Sequence, residues 1–129
     1  MCLTPLKTKK FLWWIFPKVQ RAEKDIVVYK ILSRDGHAPF KPRFRYHYGY
    51  NYPIKPCVNP SKLISENPFC SVCGGWLHAF TNEWIATTFC IDNIIWPENY
   101  KIHKMIIPKG TKYILGVEGD ICAKCLKWN

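Results

Sequence analysis

The chain has 129 residues and a mass of 15.2 kDa, a length that argues for one domain and excludes large multi-domain enzymes and transmembrane bundles. Hydrophobic residues make up 48% and charged residues 22%, the balance of a globular protein rather than a disordered one. Lys and Arg total 19 against 9 Asp and Glu, so a net charge of +10 points to an anionic ligand, a polyanion or an acidic interface.

That charge is uneven. Residues 1–64 carry 13 Lys and Arg against 3 Asp and Glu, and residues 65–129 carry 6 against 6. The positive field belongs to the first half.

The N-terminus has a basic stretch, Lys7, Lys9 and Lys10, followed by Phe11 to Phe16 and closed by Pro17 and Lys18. Six apolar residues are too few for a signal peptide core or a membrane span. Residues 1–24 therefore read as a basic, aromatic arm and 25–129 as a strand-rich core domain. An odd count of cysteines, 7, with no secretory signal fits a reducing compartment and a cytoplasmic protein.

Asp25 to Leu32 (DIVVYKIL) predicts a buried strand, and Asp35-Gly36 a turn. Arg43 to Tyr52 alternates strictly. In one extended strand, Phe44, Tyr46, Tyr48, Tyr50 and Tyr52 would share one face, with Arg43, Arg45 and His47 on the other, next to Lys41. The prolines from Pro53 to Pro68 predict a loop. Trp76 to Phe80 reads as a strand, and Thr81 as the N-cap of a short helix over Asn82 to Phe89. Strands follow at Tyr100 to Ile107, Lys112 to Leu115 and Ile121 to Trp128, separated by turns at Lys109-Gly110 and Gly116 to Asp120. The fold class expected is α+β, strand-rich, a compact single domain with one short helix and an N-terminal arm.

Two constellations could carry chemistry. Cys70-Ser-Val-Cys73 and Cys122-Ala-Lys-Cys125 form a pair of CxxC motifs, the spacing that lets two thiolates share a tetrahedral ion. If zinc is bound, Cys70, Cys73, Cys122 and Cys125 are its ligands. Otherwise they are small packing residues. The tyrosine strand is the second: aromatic faces stack on bases, and cations neutralise phosphates. Tyr46, Tyr48 and Tyr50 are the stacking candidates, and Arg43, Arg45, Lys109 and Lys112 the charged ones. Tyrosines and arginines on opposite faces cannot line one pocket. Lys109 and Lys112 flank a turn that could lie beside the tyrosines and serve instead. His78 stands among apolar neighbours and is a further ligand-binding candidate. No glycine-rich phosphate loop, carboxylate pair or nucleophile triad can be read from residue order, so a catalytic role has little to stand on.

Asp25 to Lys30 (DIVVYK), Gly74 to Phe80 (GGWLHAF) and Ile107 to Lys127 (IPKGTKYILGVEGDICAKCLK) resemble segments of a family of small proteins from bacteriophages and their gut-bacterial hosts. The late segment of that family usually carries one cysteine or none, so Cys122 with Cys125 departs from it. The resemblance implies an inhibitor of host machinery or defence, acting in the host cytoplasm, such as a sponge that sequesters an anionic nucleotide-like ligand. The competing expectations are a zinc-stabilised module that binds nucleic acid or a host protein, and an ADP-ribosyltransferase-like enzyme using His78, a tyrosine and Glu118. An oligomer is compatible with each.

Overall fold

A computed structural model describes residues 19–39, 41–53, 76–93, 95, 98–116 and 119–129. Ten strands and one helix occur among them: β1 (Val19–Arg21), β2 (Ile26–Ser33), β3 (His37–Ala38), β4 (Lys41–Arg45), β5 (Gly49–Asn51), β6 (Leu77–Phe80), α1 (Glu83–Asp92), β7 (Tyr100–Ile107), β8 (Lys112–Leu115), β9 (Asp120–Ala123) and β10 (Leu126–Trp128). Eight strands form one antiparallel sheet in the order β1-β8-β9-β6-β2-β7-β10-β5, and β3 and β4 form a separate pair. The strand-rich expectation holds.

The spine is β2 against β7, paired without a slip from Ile26↔Ile107 to Ser33↔Tyr100. β2 is β-branched and largely apolar, whereas β7 exposes Lys101 and Lys104, and the pair is fully buried at Val28, Leu32, Met105 and Ile107. On either side the pairing thins. β2 meets β6 only at Tyr29↔Phe80, and β7 meets β10 only at Lys127↔Ile106.

The sheet bends, and the length of one connection requires it. Only Lys124 and Cys125 separate β9 from β10, yet β6, β2 and β7 stand between them in the sheet. Four strand spacings in a flat sheet span about 19 Å. The three Cα steps from Ala123 to Leu126 reach at most about 11 Å. The sheet must curl, and its inner face must be shared by its two ends. Val28 and Leu32 of β2, Leu77 and Ala79 of β6, Met105 and Ile107 of β7, Ile121 and Ala123 of β9 and Leu126 of β10 accordingly form one buried cluster with Tyr46. Each strand contributes alternate residues, the period of a half-turned pleat.

The outer face is covered in part by α1, which packs Ala86, Ile85 and Phe89 on Ile31 and Phe80. The helix begins one residue later than the sequence suggests. Asn82 is its N-cap, its side-chain oxygen accepting the Ile85 N–H at 2.8 Å. Thr81 instead donates its backbone N–H and its hydroxyl to the Gly119 carbonyl, at 2.8 and 2.9 Å. Gly119 has φ +81°, and a Cβ there would collide with Ile85, so a glycine is required where the helix rests on the turn before β9.

Three expectations are corrected. The alternating stretch from Arg43 to Tyr52 is not one strand, because β4 and β5 lie in different sheets. Asn51 causes the break. Fully buried, its carboxamide accepts the His47 N–H and donates to the carbonyls of His47, Gly49 and Leu126, folding the backbone into a turn. Ile121 to Trp128 is also two strands, interrupted at Lys124-Cys125. Part of the N-terminal arm is sheet: β1 pairs with β8 from Val19↔Ile114 to Arg21↔Lys112.

Candidate functional site

The register that brings β1 into the sheet also makes an unusual charge row. Arg21 of β1 lies directly opposite Lys112 of β8. Tyr113 pairs with Ala123, so the next position outward sets Lys112 beside Lys124, and the Lys124 N–H donates to the Lys112 carbonyl at 3.1 Å. Three cations from three separate parts of the chain thus stand side by side. Like charges directly opposite in a sheet are destabilising.

They open onto a cleft of about 430 Å³, whose other walls include Tyr52, Cys125 and the Gly110-Thr111 backbone. Among the described residues lining it there is no carboxylate. The turn is held by three backbone bonds: Ala22 N–H to Thr111 O, Gly110 N–H to Ala22 O, and Thr111 N–H to Pro108 O. Arg21 Nη1 donates to the Gly110 carbonyl at 3.0 Å, which fixes one guanidinium edge and leaves others for a ligand. Lys124 Nζ lies 5.3 Å from the Trp76 ring centroid, a cation–π contact that holds the ammonium over a buried indole.

Tyr52 and Cys125 face each other across the cleft floor. The Cys125 thiol is pushed up first by burial, and its hydrogen bonds with Tyr52 and the Asn51 backbone oppose that shift. The Tyr52 phenol is also pushed up, chiefly by the neighbouring thiol. Both groups are therefore neutral and protonated near neutral pH, leaving the positive charge of the row uncancelled.

The sequence-selected residues divide. Lys112 lies in the row, beside the last tyrosine of the run, as the turn argument requires. Lys109 is exposed at the same turn, with its N–H donated to Asp25 Oδ1 at 2.9 Å, and does not line the cleft. Tyr46 is 5% exposed and packed in the core, so its ring is not available for stacking. Burial holds its phenol well above the ordinary value. Lys30, also buried, places Nζ 5.0 Å from the Tyr46 centroid and donates to the His78 carbonyl, which the short β2–β6 ladder leaves for it. Tyr48, just before β5, and Tyr50, at its middle, are exposed, with Tyr50 beneath Lys127 Nζ at 5.2 Å. Arg45 is exposed on β4, opposite His37. His78 is buried on β6 and lines neither of the clefts described for this chain. The side chains of Lys41 and Arg43, and Glu118, lie outside the described residues.

The cysteines divide as well. Cys122 is disulfide-bonded and fully buried, whereas Cys125 keeps a free thiol. Cys70 and Cys73 lie outside the described residues. Among the described residues no three His, Cys, Asp or Glu side chains gather around a common point.

Arg21 and Lys124 escaped the sequence reading. Arg21 sits in what reads as an arm, and Lys124 is hidden between two cysteines. Their partnership exists only through strand register. No protein-family model, curated protein or solved structure matches the chain, and no described helix is long and apolar enough to cross a membrane.

Proposed function

We propose that the protein binds a phosphate-bearing, nucleotide-type anion in the Arg21–Lys112–Lys124 cleft and holds it without chemical change. One observation carries the reading: three cations in adjacent register, with no carboxylate among the described lining residues. A sheet does not gain stability from that arrangement. A local rule broken without a stabilising return is characteristic of a binding site. Arg21 offers planar, forked donors, and the two lysines offer point charges, a combination suited to a phosphate with several oxygens. The Tyr52 ring supplies a flat apolar wall beside them for the organic part of the ligand. Sequestration is also one of the inhibitory roles that the resemblance of the VYK, HAF and IPKG segments implies.

The test is retention. Protein incubated with cyclic di- and trinucleotides is desalted, heated and the released material chromatographed. Recovery of unchanged ligand supports the reading. Recovery of altered ligand means turnover, and no retained ligand at micromolar protein overturns it. Because the contacts are ionic, affinity for a retained ligand should fall roughly tenfold between about 50 and 200 mM salt. A flat salt response would move binding away from the cationic row.

A further inference from the structure

A second cleft, of about 470 Å³, opens where β2 ends, β7 begins and β10 finishes. Its chemistry differs from that of the cationic row. Trp128, on the last strand, carries the Tyr48 ring at 4.5 Å with the planes tilted 33°, and meets the His103 ring edge-on at 4.9 Å. Tyr48 is backed by the indole on one side and is 72% exposed, so a pre-positioned aromatic face is open to a ligand. Around the rings stand Arg34, Lys101 and Glu98. The strand register accounts for His103 and Lys101. They lie opposite Lys30 and Leu32, on the inner-face parity of Met105 and Ile107, but beyond the packed cluster.

We infer that this cleft is a second ligand site, for a guanine base and its attached phosphate. The aromatic face is general to any base. The carboxylate makes the choice. Guanine alone among the common bases presents two adjacent N–H donors, N1–H and the 2-amino group, and a carboxylate accepts both. Glu98 is the only carboxylate among the described lining residues. Arg34 and Lys101 are the cations for a 5′-phosphate or the O6 edge. Burial, and then the charge on Lys101, lower the His103 pKa. The imidazole therefore stays neutral near pH 7 and adds no further positive charge to the cleft edge. The inference stands apart from the cationic row, since the two clefts share no lining residue.

Calorimetric titration of the full chain with guanosine, inosine and guanosine monophosphate tests it. Inosine lacks only the 2-amino group. Guanosine should bind about tenfold tighter than inosine, and Glu98→Gln should erase that difference. Tyr48→Ala should weaken guanosine and inosine together, about tenfold. The monophosphate should bind more tightly than the nucleoside, with the increment lost in Arg34→Gln. All three side chains are exposed, and a single cooperative thermal melt would show that each variant folds. Equal affinity for guanosine and inosine overturns the assignment. So does absence of saturable guanosine binding at millimolar concentration, or loss of that binding in Lys112→Glu.

Discussion

The two clefts stand at opposite ends of the β5–β10 ladder, one beside Tyr52 and Cys125, the other beside Tyr48 and Trp128. They are built from opposite materials. The cationic cleft gathers side chains that repel one another, held in place by strand register and by the turn at Gly110. The aromatic cleft gathers side chains that attract one another, with ring centroids within 5 Å of the central indole. The first is assembled against its own electrostatics; the second contributes to the packing it stands on. Binding and stability should therefore move in opposite directions at one end of the ladder and together at the other.

The largest expected effect is at Lys112, the middle cation. Lys112→Glu places a carboxylate between Arg21 and Lys124 and turns two repulsions into attractions. Affinity for a phosphate-bearing ligand should drop by about a hundredfold, the loss of one charge-assisted contact plus a new repulsion. Thermal stability should rise slightly, by up to about 1 kcal/mol. A variant that loses both binding and stability would show that Lys112 is structural and would dissolve the contrast between the clefts.

Next in size is Gly36→Ala, which should affect the aromatic end alone. Gly36 has φ +86°, and a Cβ there would strike the Tyr46 carbonyl oxygen. That carbonyl sits two residues before Tyr48, and the Tyr46 N–H donates to the Gly36 carbonyl at 2.7 Å. Positive φ and overpacking together should cost about 3 kcal/mol, or roughly 10 °C in melting temperature. Guanosine binding should weaken as Tyr48 moves, while the salt-dependent anion binding stays near its original strength. Equal damage to both ligands would mean that the sheet transmits the strain and that the clefts are not independent.

The same contrast explains what the sequence could reveal. Apolar patterning specifies structure locally, so β2, β7 and β8 are legible to within one residue, and α1 starts within one residue of its expected position but runs three residues further, to Asp92. The tyrosine run misleads because strict alternation is also compatible with a turn when a buried Asn51 satisfies four backbone groups. Tyr46 then falls into the core and Tyr48 outside it. Lys112 is legible from its turn, but Arg21 and Lys124 become its neighbours only through β1–β8 and β8–β9 pairing, which no local pattern encodes. The aromatic cleft is half legible. His103 has the parity of Met105 and Ile107, but Trp128 and Tyr48 meet only through the β10–β5 pairing, which sets Trp128 opposite Gly49.

The smallest expected effect is a pH response confined to the aromatic end. His103 has its pKa lowered, first by burial and then by Lys101, so the folded protein resists protonation that the unfolded chain accepts near the usual value of about 6.5. As pH falls, the unfolded state binds its proton first, and stability falls with it. The stability linked to His103 is fully present above about pH 6.5 and is lost as pH drops through the lower folded value. Solvent reaches the ring, so the loss should be small. Protonation would also place a third cation beside Lys101 and Arg34, at the edge of Trp128. The His103 ring protons, followed by NMR, should titrate below 6.5, and His103→Gln should flatten the acid side of the stability profile without touching anion retention at the other cleft. An ordinary or raised titration point would mean that Lys101 and the indole do not confine the ring as the geometry requires, and the neutral edge assigned to the guanine cleft would be lost with it.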